Sequence, residues 1–292
     1  MILADQGAQA SPMQWWVDTS DPLAVAARVR AGYAAMFSDA QPLFVPQVFG
    51  WAIDAFSGRH PDYLPIDTRY HDLEHTLQGT LCYASMLHGR AMAGAEPVLP
   101  RGIYELGLIA ILLHDTGYLK DRQDTLGTGA KYTRTHVHRS CQFAERLLTV
   151  KGLGPTEITA VQNMIRCTGM GTNVTAIPFG SEEERIAGYA LGTADLLGQM
   201  AAGDYVDKLP ILYEEFAESA AFNGGEGAPF RNADDLMQRT PAFWQHYVLP
   251  KVEGDFKGLY RYLASIENGR NVYLDRIENN LTRLRRRYPI AA

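Results

Sequence analysis

An almost wholly apolar run at residues 104–113 ends directly in His114 and Asp115. Periodicity alone leaves open a buried strand or a buried helix, but the length of the run and its lack of β-branched enrichment favour the helix. An adjacent histidine and aspartate are weak evidence of a site by themselves, because chance often produces such a pair. The pair becomes informative only together with the other chemistry-bearing stretches of the chain.

A second stretch, residues 70–76, reads Tyr-His-Asp-Leu-Glu-His-Thr and places His71 and His75 four residues apart at a predicted helix start. Positions i and i+4 of a helix lie on one face, so the two imidazoles are expected to point the same way. They could share a metal ion, or one could bind the metal while the other handles a proton. Asp195, in Thr-Ala-Asp-Leu, is a further candidate because it interrupts an otherwise apolar predicted helix.

The three stretches together offer two imidazoles and two carboxylates, from His75, His114, Asp115 and Asp195. This donor set suits one or two divalent ions, and Zn²⁺, Mn²⁺, Fe²⁺ and Mg²⁺ are all compatible with it. A metal ion lowers the pKa of bound water, and His71 would then be free to protonate a leaving oxygen. The alternatives without a metal ion are histidines that form hydrogen bonds in the core and an aspartate that pairs with an arginine. We predict a metal site because the three stretches occur together.

Helical spacing dominates the chain, and convincing period-2 strand patterns are absent from the sequence. We therefore predict an all-α fold, with an irregular segment at residues 1–20 and one compact multi-helix domain at residues 21–292. Within that domain we expect the metal core at about residues 65–200 and substrate-side helices at about 205–265. Predicted helices from the histidine pair onward cover residues 71–92, 104–114, 136–150, 155–168, 181–201, 205–222, 233–238, 241–248, 250–266 and 272–288.

The charge balance and the cysteine content narrow the partners and the compartment. The 292 residues carry 27 basic and 33 acidic side chains, a formal charge of −6, which argues against a nucleic acid polymer as partner. Three cysteines without a CxxC spacing argue against a disulfide framework and for a reducing compartment. No signal peptide is evident, and no segment reaches the roughly 18 apolar residues that span a bilayer. We therefore expect a cytoplasmic protein without a membrane partner, whose C-terminal helices could pack a homodimer.

The order His, His-Asp, Asp on a helical chain resembles the HD-domain superfamily of metal-dependent phosphohydrolases. Within it, the nearest resemblance is to the catalytic domain of class I cyclic nucleotide phosphodiesterases, whose signature Tyr-His-Asn-x-x-His-Ala-x-Asp-Val is similar to residues 70–79. The resemblance implies that His71 donates a proton to the leaving O3′ and that His75 is the first metal ligand. It also implies that residues 114–115 are the HD pair, with its aspartate bridging two metals, and that Asp195 is the fourth ligand.

The resemblance extends over roughly residues 65–265. Residues 164–170 are similar to the family's Ala-Thr-Asp-Met segment, and Phe243 is expected at the aromatic clamp on the purine. Tyr70, Thr168 and Phe243 are thereby the candidates for the substrate pocket.

Several positions depart from the family pattern. Asp72 stands where the family has Asn, Gln78 where it has Asp, and Thr240 where it has the purine-reading Gln. A site that hydrogen-bonds a base edge discriminates strongly, so purine specificity does not follow from the resemblance. His136 and His138 lie where HD proteins often carry additional histidines. Either is a candidate for contact with a second metal or a phosphate, and a surface histidine is an equal alternative.

The resemblance implies a metal-dependent phosphohydrolase that acts on a small phosphoester, such as a cyclic nucleotide or related phosphodiester. A nucleotide phosphomonoesterase of the same superfamily is the second interpretation. An HD-type di-iron oxygenase ranks lower because it needs more histidine ligands. A non-catalytic nucleotide-binding HD module also ranks lower, because the core ligand set is complete.

Overall fold

The structure is a computed structural model that describes residues 15–225 and 230–289. Within these ranges the regular elements are helical, and the one strand-like feature is an isolated antiparallel bridge between Tyr63 and Asp121. The predicted all-α class is confirmed. We predicted an irregular segment at residues 1–20, of which residues 1–14 lie outside the described residues. Residues 15–20 form no helix.

The described ranges contain ten α-helices in chain order. They are α1 (Pro22–Met36), α2 (Phe44–Phe56), α3 (Leu73–Met92), α4 (Arg101–Leu113), α5 (His136–Val150), α6 (Pro155–Ile165), α7 (Glu182–Met200), α8 (Tyr205–Phe222), α9 (Ala233–Phe243) and α10 (Val272–Arg287). None of these helices is both long enough and apolar enough to cross a bilayer.

The chain between α9 and α10 is less regular than the two helices predicted there. Helix α9 continues through Pro241, and wide π-helical turns follow at Trp244–Val248 and Lys251–Asp255, then a 3₁₀ segment at Leu259–Ala264. Pro241 and Pro250 have no backbone N–H to donate, and each precedes one of the wide turns. Local backbone chemistry therefore overrides the apolar spacing that suggested uninterrupted helices.

Helices α3, α4 and α7 form the buried centre of the molecule. In α3 every residue from His75 to Arg90 is buried, and in α4 the unbroken buried stretch runs from Gly107 to Leu113. A helix that is apolar all round, as α4 is, is stable only inside a core. The three central helices contact one another, and α1, α6 and α10 pack against them. The ends of this central group carry the polar residues of interest.

The start of α3 differs from the prediction. Asp72 is the N-cap, since its carboxylate accepts a hydrogen bond from the backbone N–H of His75 at 2.8 Å, and the helix begins at Leu73. The predicted start at His71 is therefore wrong, and His71 lies outside the helix. The two imidazoles are not equivalent groups on one helical face. Their rings meet edge-on, with centroids 5.4 Å apart.

Helices α3 and α7 approach closely at a glycine. A Cβ atom on Gly198 would lie 2.7 Å from the carbonyl oxygen of Gln78 and 2.8 Å from the backbone nitrogen of Gly79. These are backbone atoms, so they cannot rotate away as a side chain could. The contact lies three residues after His75 on α3 and three residues after Asp195 on α7. It thereby fixes how closely these two side chains approach each other.

A Gly198→Ala substitution should separate α3 from α7 and destabilise the fold by about 1–3 kcal/mol, the usual effect of overpacking a core. Gly50→Ala is the matched control, because a Cβ there meets nothing within 4 Å inside α2. That control should stabilise the protein by about 0.5–1 kcal/mol, as alanine does in a helix interior. Urea unfolding followed by circular dichroism measures both. Equal stability of the two variants would contradict the close crossing.

Candidate metal centre

Four side chains from the ends and middle of the central helices meet at one point. His75 comes from the first turn of α3, His114 caps the C-terminus of α4 and Asp115 follows it, and Asp195 lies within α7. Nε2 of His75 and Nε2 of His114 lie 3.2 and 3.3 Å from Oδ2 of Asp115. Both nitrogens lie 3.4 Å from Oδ1 of Asp195. We call these four residues the metal cluster.

Two atoms of the cluster are buried without a hydrogen-bond partner, Nε2 of His114 and Oδ2 of Asp115. Nδ1 of His114 lies 2.7 Å from the carbonyl oxygen of Ile111 and donates to it, so in the neutral ring Nε2 carries the lone pair that faces the cluster. Buried polar atoms without partners are rare, because each loses its hydration without compensation. A lone pair and a carboxylate oxygen that face one another are both satisfied by a cation between them.

The charges of the cluster point to the same conclusion. Burial lowers the pKa of His75, but the carboxylates of Asp115 and Asp195 outweigh it and raise that pKa to about 9. Burial raises the pKa of both carboxylates, and the two histidines outweigh it, so both pKa values lie below the ordinary range. The two carboxylates thus create a strongly negative point in the interior. A divalent cation can neutralise that point in place of the protons.

The donor atoms fit a metal ion. One ligand atom each from His75, His114 and Asp195 lie within 4.8 Å of one another, and this group could hold the ion. Asp115 adds a second carboxylate to the same cluster. Two imidazole nitrogens and carboxylate oxygens suit Zn²⁺, Mn²⁺ and Fe²⁺, and the carboxylates also suit Mg²⁺.

His136 lies on the other side of Asp115. Its Nε2 is 3.8 Å from Oδ1 of Asp115, while its Nδ1 donates to the carbonyl oxygen of Thr133 at 2.7 Å. Burial lowers the pKa of His136, which favours a neutral ring whose Nε2 lone pair faces the carboxylate. His138 is exposed on another face of α5. Of the two histidines predicted for a second metal or a phosphate, the structure brings only His136 to the cluster.

His71 lies beside the metal cluster but is held by a different residue. Its Nδ1 lies 2.6 Å from Oε2 of Glu215 on α8. Oε1 of the same carboxylate accepts hydrogen bonds from the backbone N–H groups of Arg69 and Tyr70 at 2.8 and 2.7 Å. Burial raises the pKa of Glu215, but His71 and the two N–H groups outweigh it and lower that pKa. Glu215 is therefore an ionised acceptor that holds Nδ1 of His71, and no described residue forms a hydrogen bond with Nε2 of His71.

Glu215 was not among the residues predicted from the sequence. It follows Glu214 in a helix that the pattern does predict, and the structure buries Glu215 while Glu214 is exposed and pairs with Arg69. Helical spacing around the pair is too irregular to tell which glutamate faces inward. No local signal identifies its partner, which lies 144 residues earlier in the chain.

A stack of three rings orients the two histidines that flank the cluster. The ring of Tyr118 lies between His71 and His136, with centroid distances of 4.5 and 4.7 Å and interplanar angles of 16° and 18°. Tyr118 is buried, and it is the last residue of the 3₁₀ turn Thr116–Tyr118, which follows His114 and Asp115. Stacking on both faces restricts rotation of both imidazoles.

The three residues expected in a substrate pocket have different surroundings. Tyr70 is buried beside His71 and donates its hydroxyl to Oε1 of Gln199 at 2.7 Å. Thr168 donates its hydroxyl to the carbonyl oxygen of Ile165. Phe243 stacks on Tyr247 with the ring centroids 5.1 Å apart. Within the described residues, the last two side chains make no hydrogen bond or ring contact with the cluster, so their role stays a prediction.

His114→Ala and Asp195→Asn should each reduce the bound metal of the purified protein to near zero, because the first removes an imidazole ligand and the second replaces a charged carboxylate by a neutral amide. His138→Ala is the control and should keep the wild-type metal content, since that side chain is exposed. Elemental mass spectrometry measures the metal, and circular dichroism verifies the fold. Full metal content in the folded Asp195→Asn variant would contradict the assignment.

A family model described as Npun_R2479-like matches residues 123–285, which is more than half of the chain. The matched segment includes Asp195 and Glu215, whereas His75 and His114 precede it. No curated protein matches the chain. Because the match covers more than half of the chain, the chain belongs to the Npun_R2479-like family.

Proposed function

We propose that this protein is a metal-dependent phosphohydrolase that cleaves small phosphodiesters, with His71 as the general acid. The proposal rests on one observation, which is that the histidines of the site make different contacts. His75 and His114 turn Nε2 toward the carboxylates of the cluster, whereas His71 lies beside them and is bonded to Glu215. The site thus combines donors for a cation with a separate imidazole for proton transfer.

The metal ion would be held by His75, His114, Asp115 and Asp195. When bound, such an ion supplies Lewis-acid stabilisation of phosphoryl oxygens and lowers the pKa of coordinated water. The protein residues supply orientation. The hydrogen bond from His114 to Ile111 fixes the direction of its ring, as partners of ligand histidines generally do.

The leaving oxygen of a phosphodiester is an alkoxide, which needs a proton as the ester bond breaks. His71 can deliver that proton from Nε2, because Nδ1 is already shared with the Glu215 carboxylate. The stack on Tyr118 holds the ring in one plane while it acts.

The substrate is proposed as a small phosphoester, such as a nucleotide, without purine selectivity. Thr240, at the position of the purine-reading residue in the resembling family, is buried and donates its hydroxyl to the carbonyl oxygen of Leu236. It therefore has no free hydrogen for a base edge. Discrimination that depends on a buried hydrogen bond to the base is lost when that group is absent.

His71→Ala should retain the metal but lower the turnover of bis(4-nitrophenyl) phosphate by about 10²–10⁴-fold, the usual contribution of general acid catalysis. His138→Ala should keep wild-type turnover. Initial rates on the metal-loaded protein measure the effect.

A parallel screen with cyclic nucleotides and nucleoside monophosphates separates diester from monoester cleavage. Phosphate release from monophosphates alone would assign a phosphomonoesterase instead. Absence of turnover on every phosphoester by the metal-loaded protein would falsify the proposed reaction, and loss of metal in His71→Ala would show that His71 is a ligand.

Glu215→Gln should lower kcat by about 10–100-fold, the range for groups that orient a working histidine. This variant keeps the size of the side chain but removes its charge, so a weaker hydrogen bond holds the imidazole while the metal content should stay unchanged. Glu214→Gln is the matched control, because Glu214 is exposed and pairs only with Arg69 at the surface. Wild-type kcat in the folded Glu215→Gln variant would contradict the positioning role.

A further inference from the structure

We propose that a cleft beside α3 is a second binding site, which takes a small aliphatic amine. The cleft has a volume of about 340 Å³ and lies between residues 16–20, the first turns of α3, the end of α7 and α10. Its lining includes Trp16, Glu74, Gln78 and Asp204. Neither the family match nor the proposed phosphohydrolase reaction assigns a role to it.

Gln78 is the residue that points to a ligand. Its side chain is 93% buried, since only 7% of its surface is exposed, and it lines the cleft. The side-chain amide makes no hydrogen bond with any residue in ranges 15–225 and 230–289. The side-chain amide offers two donor hydrogens and an acceptor oxygen, and the rest of the described fold uses none of them. A ligand in the cleft can supply one.

The charge of the cleft selects a cation. Carboxylates of Asp18, Glu74 and Asp204 line it. Lys208 lies behind them and serves three carboxylates at once, with Nζ 2.9 Å from Glu74, 3.2 Å from Asp204 and 3.8 Å from Asp72. One ammonium therefore balances several negative groups. The excess of negative charge favours an incoming cation and opposes an anionic phosphoester.

The cation already in the cleft, Arg276, is committed to other contacts. Its guanidinium stacks 3.7 Å from the ring centre of Trp16, and its Nε donates to the carbonyl oxygen of Ala201 at 2.9 Å. Among the described residues, Arg276 forms no ion pair with the carboxylates of the cleft, so it does not neutralise them directly. Leu81 and Tyr273 supply apolar surface in the same cleft. An alkyl chain that ends in an ammonium group matches this combination.

The cleft is separate from the metal cluster but shares Gln78 and Asp204 with a smaller cavity of about 10 Å³. This smaller cavity is lined by His75, and its volume is that of about one water molecule. Gln78 follows His75 by three residues on α3, so a ligand hydrogen-bonded to Gln78 lies next to the metal site without entering it. The amine site therefore does not depend on the proposed phosphohydrolase reaction.

Isothermal titration calorimetry of the full chain with 1,4-diaminobutane tests the proposal, and 1,4-butanediol is the neutral molecule of the same length. We expect saturable binding of the diamine at one site per chain and no binding of the diol. Binding of both compounds with equal affinity, or of the diol alone, would overturn the proposal. So would an absence of diamine binding.

Two pairs of variants locate the site. Asp204→Asn should weaken diamine binding about tenfold, because it removes a charge-assisted contact. Asp207→Asn should not, since Asp207 lies outside the cleft and pairs with Arg283. Gln78→Leu should also weaken binding about tenfold through loss of the amide, whereas His138→Ala should not. Unaltered affinity in both folded cleft variants would place the diamine elsewhere and refute the site.

Metal removal distinguishes this site from the metal centre. Diamine affinity should stay within a factor of about two after chelation of the metal, given that additive behaviour is the rule for sites without shared ligands. Loss of binding on chelation would show that the amine binds the metal, and would overturn the proposal.

Discussion

The contact between α3 and α7 is the constraint on which the site depends. Gly198 lets the two helix backbones approach until only a hydrogen atom fits between them. His75 and Asp195 lie three residues before the contact on their respective helices, and Nε2 and Oδ1 of the two side chains come within 3.4 Å. A larger residue at position 198 would separate the helices and so widen the cluster. Packing of backbone against backbone therefore determines the ligand geometry.

The polar interior of the protein is stabilised by hydrogen bonds that also assign roles to the histidines. His114 donates to the carbonyl oxygen of Ile111, His136 to that of Thr133, and His71 to Glu215. Each bond occupies Nδ1 and leaves Nε2 for chemistry. Two of these partners are carbonyl groups three residues earlier in the chain, whereas Glu215 belongs to a distant helix. The ring bonded to Glu215 is the one proposed for proton transfer, because it lies beside the cluster and is not one of the four metal-donor residues.

The segment from Asp72 to Gln78 serves three purposes within two turns of helix. Asp72 caps the helix by accepting from the backbone N–H of His75, which places that histidine at the cluster. Glu74 faces the other side, where Lys208 contacts it at 2.9 Å. Gln78 reaches the cleft. Asp72 and Gln78 are two of the positions at which the sequence departs from the pattern of the resembling family. In the structure Asp72 is a helix cap, and Gln78 has a side-chain amide without a hydrogen bond to the other described residues.

Local patterns in the sequence were sufficient for the helical class and the buried α4, because apolar spacing acts through residue type and short-range order. The donor chemistry of His75, His114, Asp115 and Asp195 was sufficient to predict one metal site, but the distances between them came from the tertiary structure. The predicted start of α3 at His71 was two residues too early, because apolar spacing does not mark the N-cap, which is Asp72. The tertiary structure alone decided that Glu215 rather than Glu214 anchors His71, and that His136 rather than His138 reaches Asp115. Each choice depends on how a helix is rotated about its axis and where it crosses its neighbours. Those quantities are set by contacts between residues far apart in the chain, which no local pattern encodes.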